Sequence, residues 1–399
     1  MKVSATLAMN NLMKARLSKG LETYKLGFGQ SPFPVPKVMV EKLKESAWIK
    51  DYLSTQGLES LRVEIAKYYQ YKFDLGISPD QIIVGPGSKE LLFLTQMVLK
   101  RDLLLPAPSW VTYAPQAELL NHPIHWIQTK KEDGYMLDSK RLKTFLEQNS
   151  SKKFVLILNY PNNPTGKTFS REEMKAIASL AKQYDVKILS DEIYGAFTFD
   201  ASHETIYKYY PEGTFVYNGL SKWCGAGGWR VAFVICPKGD FELRAKLIQA
   251  GSETYSCTSA PMQYAAIEAF KSTDQIDRYT ENCMKILIKI RAYLKSNLNP
   301  EKVEMTIPDG GFYSFINFKG QKDATGKDLC LRLLNETGVA VIPGSAFGRP
   351  AEEHSARLAF VDLDGSLIYD ETFLSDIENA DFKRYFPQLT EAVNRLNAF

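Results

Sequence analysis

The chain of 399 residues has few of the side chains that bind metals or form disulfides: five cysteines and four histidines. No cysteine pair has the spacing of a zinc or redox site, and the histidines have no ligand spacing. We therefore expect no bound metal, histidines that are surface or core residues, and the reduced thiols of a cytoplasmic protein. These residues are Cys224, Cys236, Cys257, Cys283 and Cys330, with His122, His125, His203 and His354.

The sequence also lacks a long hydrophobic run and a strong charge of one sign. No apolar segment approaches the roughly 18 to 20 residues that span a bilayer, which argues against a membrane partner. A net charge of +3 over the whole chain, without a dense basic tract, argues against nucleic acid as a partner. We find no internal repeat, low-complexity tract or proline-rich linker, so domain boundaries must come from the pattern of elements.

The N-terminal segment is basic, with Lys2, Lys14, Arg16 and Lys19 and no acid before Glu22. This composition is similar to an organelle transit peptide, but an amphipathic arm that packs on the fold is the favoured interpretation. A secretory signal fits less well, because no clean cleavage site follows the short apolar stretch "VSATLAM".

The sequence does contain many apolar residues: 45% of its residues are apolar and 24% are charged. A chain of this length and composition can bury a large core and is expected to form two domains or subdomains. Helix and strand patterns alternate along it. The segment "GLESLRVEIAKYYQYKF" predicts a helix, and "DQIIVGPGSKELLFLTQMVLK" predicts a strand, a turn and a helix. The next segments predict a strand ("DLLLPAPSW"), a helix and a strand ("AELLNHPIHWIQ"), a helix ("RLKTFLEQ") and a strand ("KFVLILNY"). A helix from Ser170 to Tyr184, whose "SREE" predicts a capping box, and the strand "VKILSDEIY" follow.

This alternation predicts an α/β fold with a mostly parallel sheet covered by helices on both faces. In such sheets ligands bind beyond the carboxyl ends of the strands, and "GPGSK", "PAPSW", "NYPNNPTG" and "SDEIY" each follow an apolar run. The loop in "NGLSKWCGAGGWRVAF" is too short for a helical crossover, so its flanking strands (215–217 and 231–236) should be antiparallel. After about residue 290, further strands and a helix predict a smaller C-terminal α+β domain.

That loop places Lys222 near Arg230, and two cations in a small space repel unless an anion lies between them. Pyridoxal 5'-phosphate fits this requirement, because its aldehyde needs an amine and its phosphate can be held by a guanidinium. The turn "GPGSK" adds backbone N–H groups and the Ser88 hydroxyl as an anion cradle. Taken singly, a lysine is usually a surface charge and an arginine usually forms an ion pair.

Other polar residues suit the ring of the same cofactor. Asp191 can keep the pyridine nitrogen protonated, Tyr194 and Asn163 can hydrogen-bond the phenolic oxygen, and Trp110 can stack on the ring. Each also has an ordinary structural interpretation: a helix N-cap for Asp191, a turn for Asn163 and a core position for Trp110. The hypothesis therefore depends on the whole set.

The ordered series of motifs resembles the class I/II aminotransferases, a family of the pyridoxal-phosphate fold-type I superfamily, over almost the whole chain. The matching segments are "SATLAMNNLMKARLSKG", "YLSTQGLESLR", "NNPTG", "SDEIY", "LSKWCGAGGWR", "VAVIPGSAFG" and "ARLAF". The resemblance implies a large cofactor-binding domain at 46–290 and a small domain made of an N-terminal arm at 1–45 and a C-terminal part at 291–399.

The resemblance also implies roles at individual positions. Lys222 is implied as the Schiff-base and proton-transfer residue, and Arg357 as the ligand of the substrate α-carboxylate. Tyr52 is implied to reach the phosphate in the other subunit of a homodimer. The remaining implied cofactor ligands are Gly87, Ser88, Lys89, Trp110, Asn163, Asp191, Tyr194 and Arg230, of which Asn163 and Trp110 also face substrate, and Asp191 and Tyr194 assist catalysis.

Two positions depart from the family pattern. Gly219 stands where many relatives have a serine or threonine that donates to the phosphate, so phosphate binding must depend on the other ligands. In "GFGQSPFPVP", Ser31 precedes a proline where many relatives have an acid. Because this stretch lines the substrate pocket in relatives, the substrate side chain cannot be carried over.

The sequence thus predicts an aminotransferase that moves an amino group from an L-α-amino acid to a 2-oxo acid, with 2-oxoglutarate as the expected acceptor. The alternative within the same fold is a carbon-sulfur β-lyase or an enzyme like aminocyclopropane-carboxylate synthase. A more distant alternative is a pyridoxal-phosphate-binding protein without activity. A nicotinamide enzyme fits poorly, because "GPGSKE" lacks the third glycine of the dinucleotide fingerprint.

Overall fold

A computed structural model describes residues 5–200, 202–271 and 274–399 of the chain. Within these ranges no helix is both long and apolar enough to cross a membrane. The strands, in chain order, are β1 (Ile82–Gly85), β2 (Asp102–Ala107), β3 (Ile124–Gln128), β4 (Phe154–Asn159), β5 (Lys187–Asp191), β6 (Thr214–Gly219), β7 (Ala232–Ile235), β8 (Val303–Met305), β9 (Tyr313–Phe318), β10 (Ile342–Pro343) and β11 (Ser355–Ala359).

Helices connect and cover these strands. In chain order they are α1 (Ala5–Leu17), α2 (Lys37–Ser46), α3 (Glu59–Phe73), α4 (Ser88–Leu99), α5 (Tyr113–Leu119), α6 (Ser139–Gln148), α7 (Arg171–Gln183), α8 (Phe241–Thr254), α9 (Ala260–Phe270), α10 (Asp274–Asn297), α11 (Gly326–Thr337), α12 (Glu371–Ser375), α13 (Phe382–Tyr385) and α14 (Pro387–Ala398).

The large sheet has seven strands in the order β1-β7-β6-β5-β4-β2-β3. Strands β6, β5, β4, β2 and β3 pair in parallel, whereas β7 is antiparallel to both of its neighbours, β1 and β6. The predicted α/β class, with a mostly parallel sheet and one antiparallel strand, is confirmed. So is the antiparallel pair on either side of the short loop after β6.

Helices cover both faces of this sheet, and alternate residues of β4 show how. Val155 and Ile157 belong to the apolar cluster that contains Leu91 and Leu92 of α4, while Leu156 and Leu158 belong to the cluster with Ile177 of α7. A strand that is buried on both faces needs an unbroken apolar run, which is what "FVLIL" supplies.

The C-terminal part forms a four-stranded antiparallel sheet in the order β10-β11-β9-β8. The N-terminal arm packs on it: Met9 and Met13 of α1 share an apolar cluster with Ile342, and Tyr24 pairs with Val339 in a parallel bridge. A smaller α+β unit that includes the N-terminal arm is therefore present. The exact domain limits at 45 and 290 stay a prediction, and α10 runs through residue 290.

The start of α7 confirms one part of a sequence prediction and corrects another. Ser170 caps α7 as predicted, because its hydroxyl accepts from the Glu173 N–H at 3.1 Å. The capping box is wrong, however, since the Glu173 carboxylate accepts from the Ser139 N–H at the start of α6 instead of reaching back to residue 170. A long-range contact between two helix starts has replaced the local one.

Candidate active site

A cavity of about 1030 Å³ lies at the carboxyl ends of β4, β5 and β6, where Asn159 and Asp191 line it. This is the position that the strand pattern predicts. The predicted site residues that line the cavity are Ser88, Lys89, Trp110, Asn163, Asp191, Tyr194, Lys222, Arg230 and Arg357. Gly87 is adjacent, packed against the Arg230 guanidinium. Tyr52 does not line the cavity, and it is 89% exposed.

Lys222 lies just beyond β6 and points toward the N-terminal segment. Its Nζ donates to the Gly29 carbonyl oxygen at 3.0 Å and lies 5.7 Å from the ring centroid of Tyr194. The Tyr313 hydroxyl donates to the same carbonyl at 3.2 Å and accepts from the Tyr194 hydroxyl at 3.1 Å. The amine is therefore held by a neutral oxygen within a wall of aromatic rings, where a substrate group could replace that oxygen.

The start of α4 and the Arg230 side chain form a cradle for an anion. Gly87 has φ 108°, a conformation that favours glycine, and a Cβ on it would collide with the Arg230 guanidinium. The Glu90 N–H donates to the Gly87 carbonyl at 3.1 Å. The N–H groups of Ser88 and Lys89 are therefore the ones that the helix start offers to an anion, and the helix dipole favours a negative group there. Ser88, as the first residue of α4, adds a hydroxyl at the cavity wall.

The cations around this cradle disfavour one another. Burial lowers the pKa of Lys89, and the positive charges of Arg230 and Lys222 lower it further. Lys89 Nζ lies 5.2 Å from the ring centroid of Trp110, which lines the cavity and packs edge-to-face on Tyr113. A bound phosphate would relieve this repulsion, so the donor set fits the expected anion.

Asp191 ends β5 with a fully buried carboxylate. Burial raises its pKa to about 6, although the Tyr113 hydroxyl, the Ile193 N–H and the charge of Lys222 all lower it. The Tyr113 hydroxyl donates to Asp191 Oδ2 at 2.6 Å. A positively charged ring nitrogen near this carboxylate would favour the ionised form, which is how the site could hold a protonated pyridine.

Arg357, on β11, is a buried guanidinium that contacts no carboxylate within the described ranges. Its Nη1 donates to Asn163 Oδ1 at 3.1 Å, its Nη2 donates to the Gly27 carbonyl at 2.7 Å, and its Nε has no partner there. The Tyr313 ring lies 4.5 Å below the guanidinium carbon. Buried charges are normally paired, so this arrangement suits an anionic ligand such as a substrate carboxylate.

The sequence did not predict Tyr113, Tyr313 or Gly29 as part of this site. Tyr113 lies three residues after Trp110, but its reach to Asp191 depends on how α5 packs against the sheet. A Cβ at Gly29 would overlap the Tyr313 hydroxyl, so this glycine lets the N-terminal segment approach Lys222. The one sequence signal for these three residues was the short "GFG", in the segment that lines the substrate pocket in relatives.

The glycine at 219 has a steric cause. Gly219 pairs with Ala232 in the antiparallel β6–β7 ladder, and a Cβ at 219 would lie 2.6 Å from the Ala232 Cβ. The site therefore has no room for a serine hydroxyl at this position without a shift of β7. Donors to an anion at this end of the cavity would therefore be the α4 start, Lys89 and Arg230.

Comparison with known proteins agrees with this geometry. The family model for class I and II aminotransferases matches residues 22–364. An aspartate aminotransferase of Pyrococcus horikoshii is 31% identical over 360 residues, which is 88% of this chain and 90% of that protein. An asparagine–oxo-acid transaminase of Streptococcus mutans is 31% identical over 382 residues, 90% of this chain and 92% of the other. The solved aspartate aminotransferase of Thermotoga maritima superposes with a TM-score of 0.84 at 26% identity, covering 100% of this chain and 97% of that one.

Proposed function

The chain belongs to the class I and II aminotransferase family and is an aminotransferase, and we propose that it moves an amino group from an L-α-amino acid to a 2-oxo acid, with 2-oxoglutarate as acceptor. The observation that supports this most directly is that Lys222, an amine, and Arg357, a buried guanidinium without a carboxylate partner among the described residues, line one cavity. The first suits an aldehyde and the second suits an α-carboxylate.

The family is dependent on pyridoxal phosphate, and the donor set of the cavity fits that cofactor. Lys222 would hold its aldehyde, and Arg230 with the α4 start would hold its phosphate. When bound, this group supplies an electron sink that makes the α-proton of an amino acid acidic enough to be removed. The other residues that would contact it are Gly87, Ser88, Lys89, Trp110, Asn163, Asp191 and Tyr194.

Arg357 would orient the substrate. A guanidinium can form two parallel hydrogen bonds to a carboxylate, which fixes the direction of the α-carbon as well as its distance. The two Nη atoms donate to neutral oxygens of Asn163 and Gly27. A substrate carboxylate would replace these neutral acceptors with a charged one, and the hydrogen bonds of Arg357 would become stronger. Asn163 and Trp110 would border the bound amino acid from the cavity wall.

Once the substrate amine had displaced it from the aldehyde, the freed Lys222 amine would remove the proton from the substrate α-carbon and return it to the carbon on the other side of the transferred nitrogen. The Lys222 amine contacts the neutral Gly29 carbonyl, and it forms no ion pair with a carboxylate of the described residues. Tyr313 and Tyr194 form a hydroxyl chain to the same carbonyl, which keeps the amine within the cavity. Asp191, oriented by Tyr113, would keep the ring nitrogen protonated.

A homodimer is part of the proposal, because Tyr52 is solvent-exposed in the single chain and outside its own cavity. Nearby Trp48 is also exposed, at 79%. In this arrangement Tyr52 would complete the site of the partner subunit. A cytoplasmic location is likewise proposed, from the free cysteines.

The test is a screen of amino donors with the purified, cofactor-loaded protein. Formation of the 2-oxo acid from the donor should require an added acceptor, and 2-oxoglutarate should be converted to glutamate in equal amount. Release of pyruvate and ammonia from a cysteine conjugate without any acceptor would instead establish a β-lyase. Protein that binds the cofactor yet transforms no donor would leave only a binding function.

A further inference from the structure

A cluster of buried polar side chains lies behind the site, and the reaction as proposed does not use it. Its centre is the Glu192 carboxylate, with 0% of the side chain exposed, next to Asp191 in sequence. Oε2 accepts from His203 Nε2 at 2.9 Å, and Oε1 accepts from three hydroxyl groups at 2.7 to 3.0 Å. We call the set Tyr160, Ser190, Glu192, His203 and Thr205 the Glu192 cluster.

The cluster lies on the opposite face of the sheet from the Asp191 side chain. Tyr113, which contacts Asp191, packs with the apolar residues of one face, whereas Tyr160, which contacts Glu192, packs with those of the other. This follows from the alternation of side chains along β5 and just beyond it. Glu192 therefore contacts the site through the backbone, although its charge also raises the pKa of Asp191.

The arrangement is costly for stability. A buried charge must lose its hydration, and a hydrophobic replacement is often as stable. His203 Nδ1 has no partner within the described part of the chain, and a Cβ at Gly195 would lie 2.8 Å from the His203 ring. A gain in stability therefore does not account for the cluster.

The cluster joins the segments that carry the site residues. The Tyr160 N–H donates to the Asp191 carbonyl at 3.3 Å, and the Gly195 N–H donates to the Glu192 carbonyl at 2.9 Å. The Tyr160 hydroxyl also accepts from the Ile206 N–H at 3.0 Å. These hydrogen bonds hold the turn between Asp191 and Tyr194 on the side that faces away from the cavity. They also hold the start of the loop that contains Asn163.

We propose that Glu192 and His203 are a positioning pair that fixes the Tyr194 hydroxyl, and through it the phenolic oxygen of the bound cofactor. This proposal rests on the proposed function. Among the described residues, His203 is the one basic side chain that pairs with Glu192. Tyr160 stacks on the His203 ring, and the Phe73 ring packs against its edge. Removal of the imidazole would therefore release the turn on the side that faces away from the cavity.

The readout is the pH midpoint of the visible absorption band of the protein loaded with pyridoxal phosphate. In the loaded protein the Tyr194 hydroxyl would turn from the Tyr313 hydroxyl, its present acceptor, to the phenolic oxygen. A hydroxyl that donates to the phenolic oxygen favours its anion and lowers this midpoint. His203→Ala should raise the midpoint by about half a unit to one unit, the effect of weakening one hydrogen bond. His203→Gln, which keeps a donor for Glu192, should stay near the wild type.

A double-mutant comparison separates positioning from a general loss of structure. Tyr194→Phe removes the hydroxyl itself, so adding His203→Ala to that variant should cause little further shift. His125→Ala is the matched control, because His125 pairs with Asp102 at 2.8 Å in the same sheet but at the amino ends of the strands. Its midpoint should equal that of the wild type.

Thr205→Val, which removes one hydroxyl donor from Glu192, replaces His203→Ala if that variant does not fold, and the midpoint should again rise. An unchanged midpoint in the variant used, or a shift that persists in full without the Tyr194 hydroxyl, would overturn the positioning role. Absence of any visible band in the loaded wild type would overturn the proposed function as well, so the two failures are distinguishable.

Discussion

The charged side chains at the two ends of the large sheet differ in whether they form ion pairs. At the amino ends of the strands, charges are paired and partly solvated: Asp102 contacts His125 at 2.8 Å, and Asp185 contacts both Arg101 and Lys153. At the carboxyl ends, Asp191 and Arg357 are buried, Lys222 is half-buried and Arg230 is exposed. No ion pair joins any of these four cavity-lining charges to another described residue.

The difference separates two uses of the same side chains. Paired, half-exposed charges contribute modestly to stability, typically less than about 1 kcal/mol each. Buried charges without an opposite partner cost stability, and they recover it only when a ligand supplies the missing charge. The difference between paired and unpaired charges therefore indicates which end of the sheet holds the site. Substitutions at matched positions of the two ends test this difference.

The largest effect is expected for Lys222→Ala. Loss of the amine removes both the attachment point and the proton-transfer group, so transamination should fall by about 10³-fold or more. Lys153→Ala, at the amino end, should leave turnover unchanged. Both variants should keep the wild-type circular dichroism spectrum, and near-normal turnover of Lys222→Ala would contradict its assigned role.

Arg357→Lys comes next. A lysine keeps the charge but cannot form two parallel hydrogen bonds, so kcat/KM for the amino donor should fall by about 10 to 100-fold. The matched change Arg101→Lys should leave steady-state kinetics as in the wild type, because the side-chain hydrogen bonds of Arg101 go to Asp185, at the far end of the sheet. Equal losses in the two variants would show that the arginine acts through stability.

Asp191→Asn should stabilise the apoprotein while it impairs catalysis. The pKa of Asp191 is raised to about 6 by burial, so the stability it contributes is present below its ordinary pKa and is lost as pH rises through about 6. Removing the charge should therefore raise the free energy of unfolding at pH 7 by on the order of 2 kcal/mol. Urea unfolding of apoprotein measures this, and a less stable variant would argue against an uncompensated charge.

Asp185→Asn should have a smaller effect of opposite sign. Burial raises the pKa of Asp185, but Lys153 and Arg101 lower it by more, so its net pKa lies below the ordinary value. Its contribution is present above that value and is lost as pH falls through the lowered pKa. Because the carboxylate is partly exposed, the variant should lose less than about 1 kcal/mol at pH 7, again by urea unfolding. A gain in stability would remove the contrast between the two ends.

The sequence predicted the elements whose signals are local. The buried run "FVLILN" predicted β4, and the short loop after residue 219 predicted the antiparallel pair of β6 and β7. Motifs at strand ends also predicted polar side chains that line the cavity, among them Asp191, Lys222 and Asn163, because parallel strands bring their carboxyl ends to one edge.

What the sequence could not predict depends on contacts between distant segments. Lys222 and Gly29 are 193 positions apart, and Arg357 and Gly27 are 330 apart, yet both pairs are hydrogen-bonded. The Glu173 carboxylate is another example, because it accepts from the Ser139 N–H at the start of α6 and does not form the predicted capping box. The Tyr113 contact with Asp191 similarly depends on the packing of α5.

The most direct test is to load the protein with pyridoxal phosphate, reduce it with borohydride and map the modified peptide by mass spectrometry. A single adduct on Lys222, with none on Lys89 despite its place in the same cavity, is the result we predict. An adduct on Lys89 alone, or no adduct together with a colourless protein, would contradict the view that the charges at the carboxyl ends are built around this cofactor.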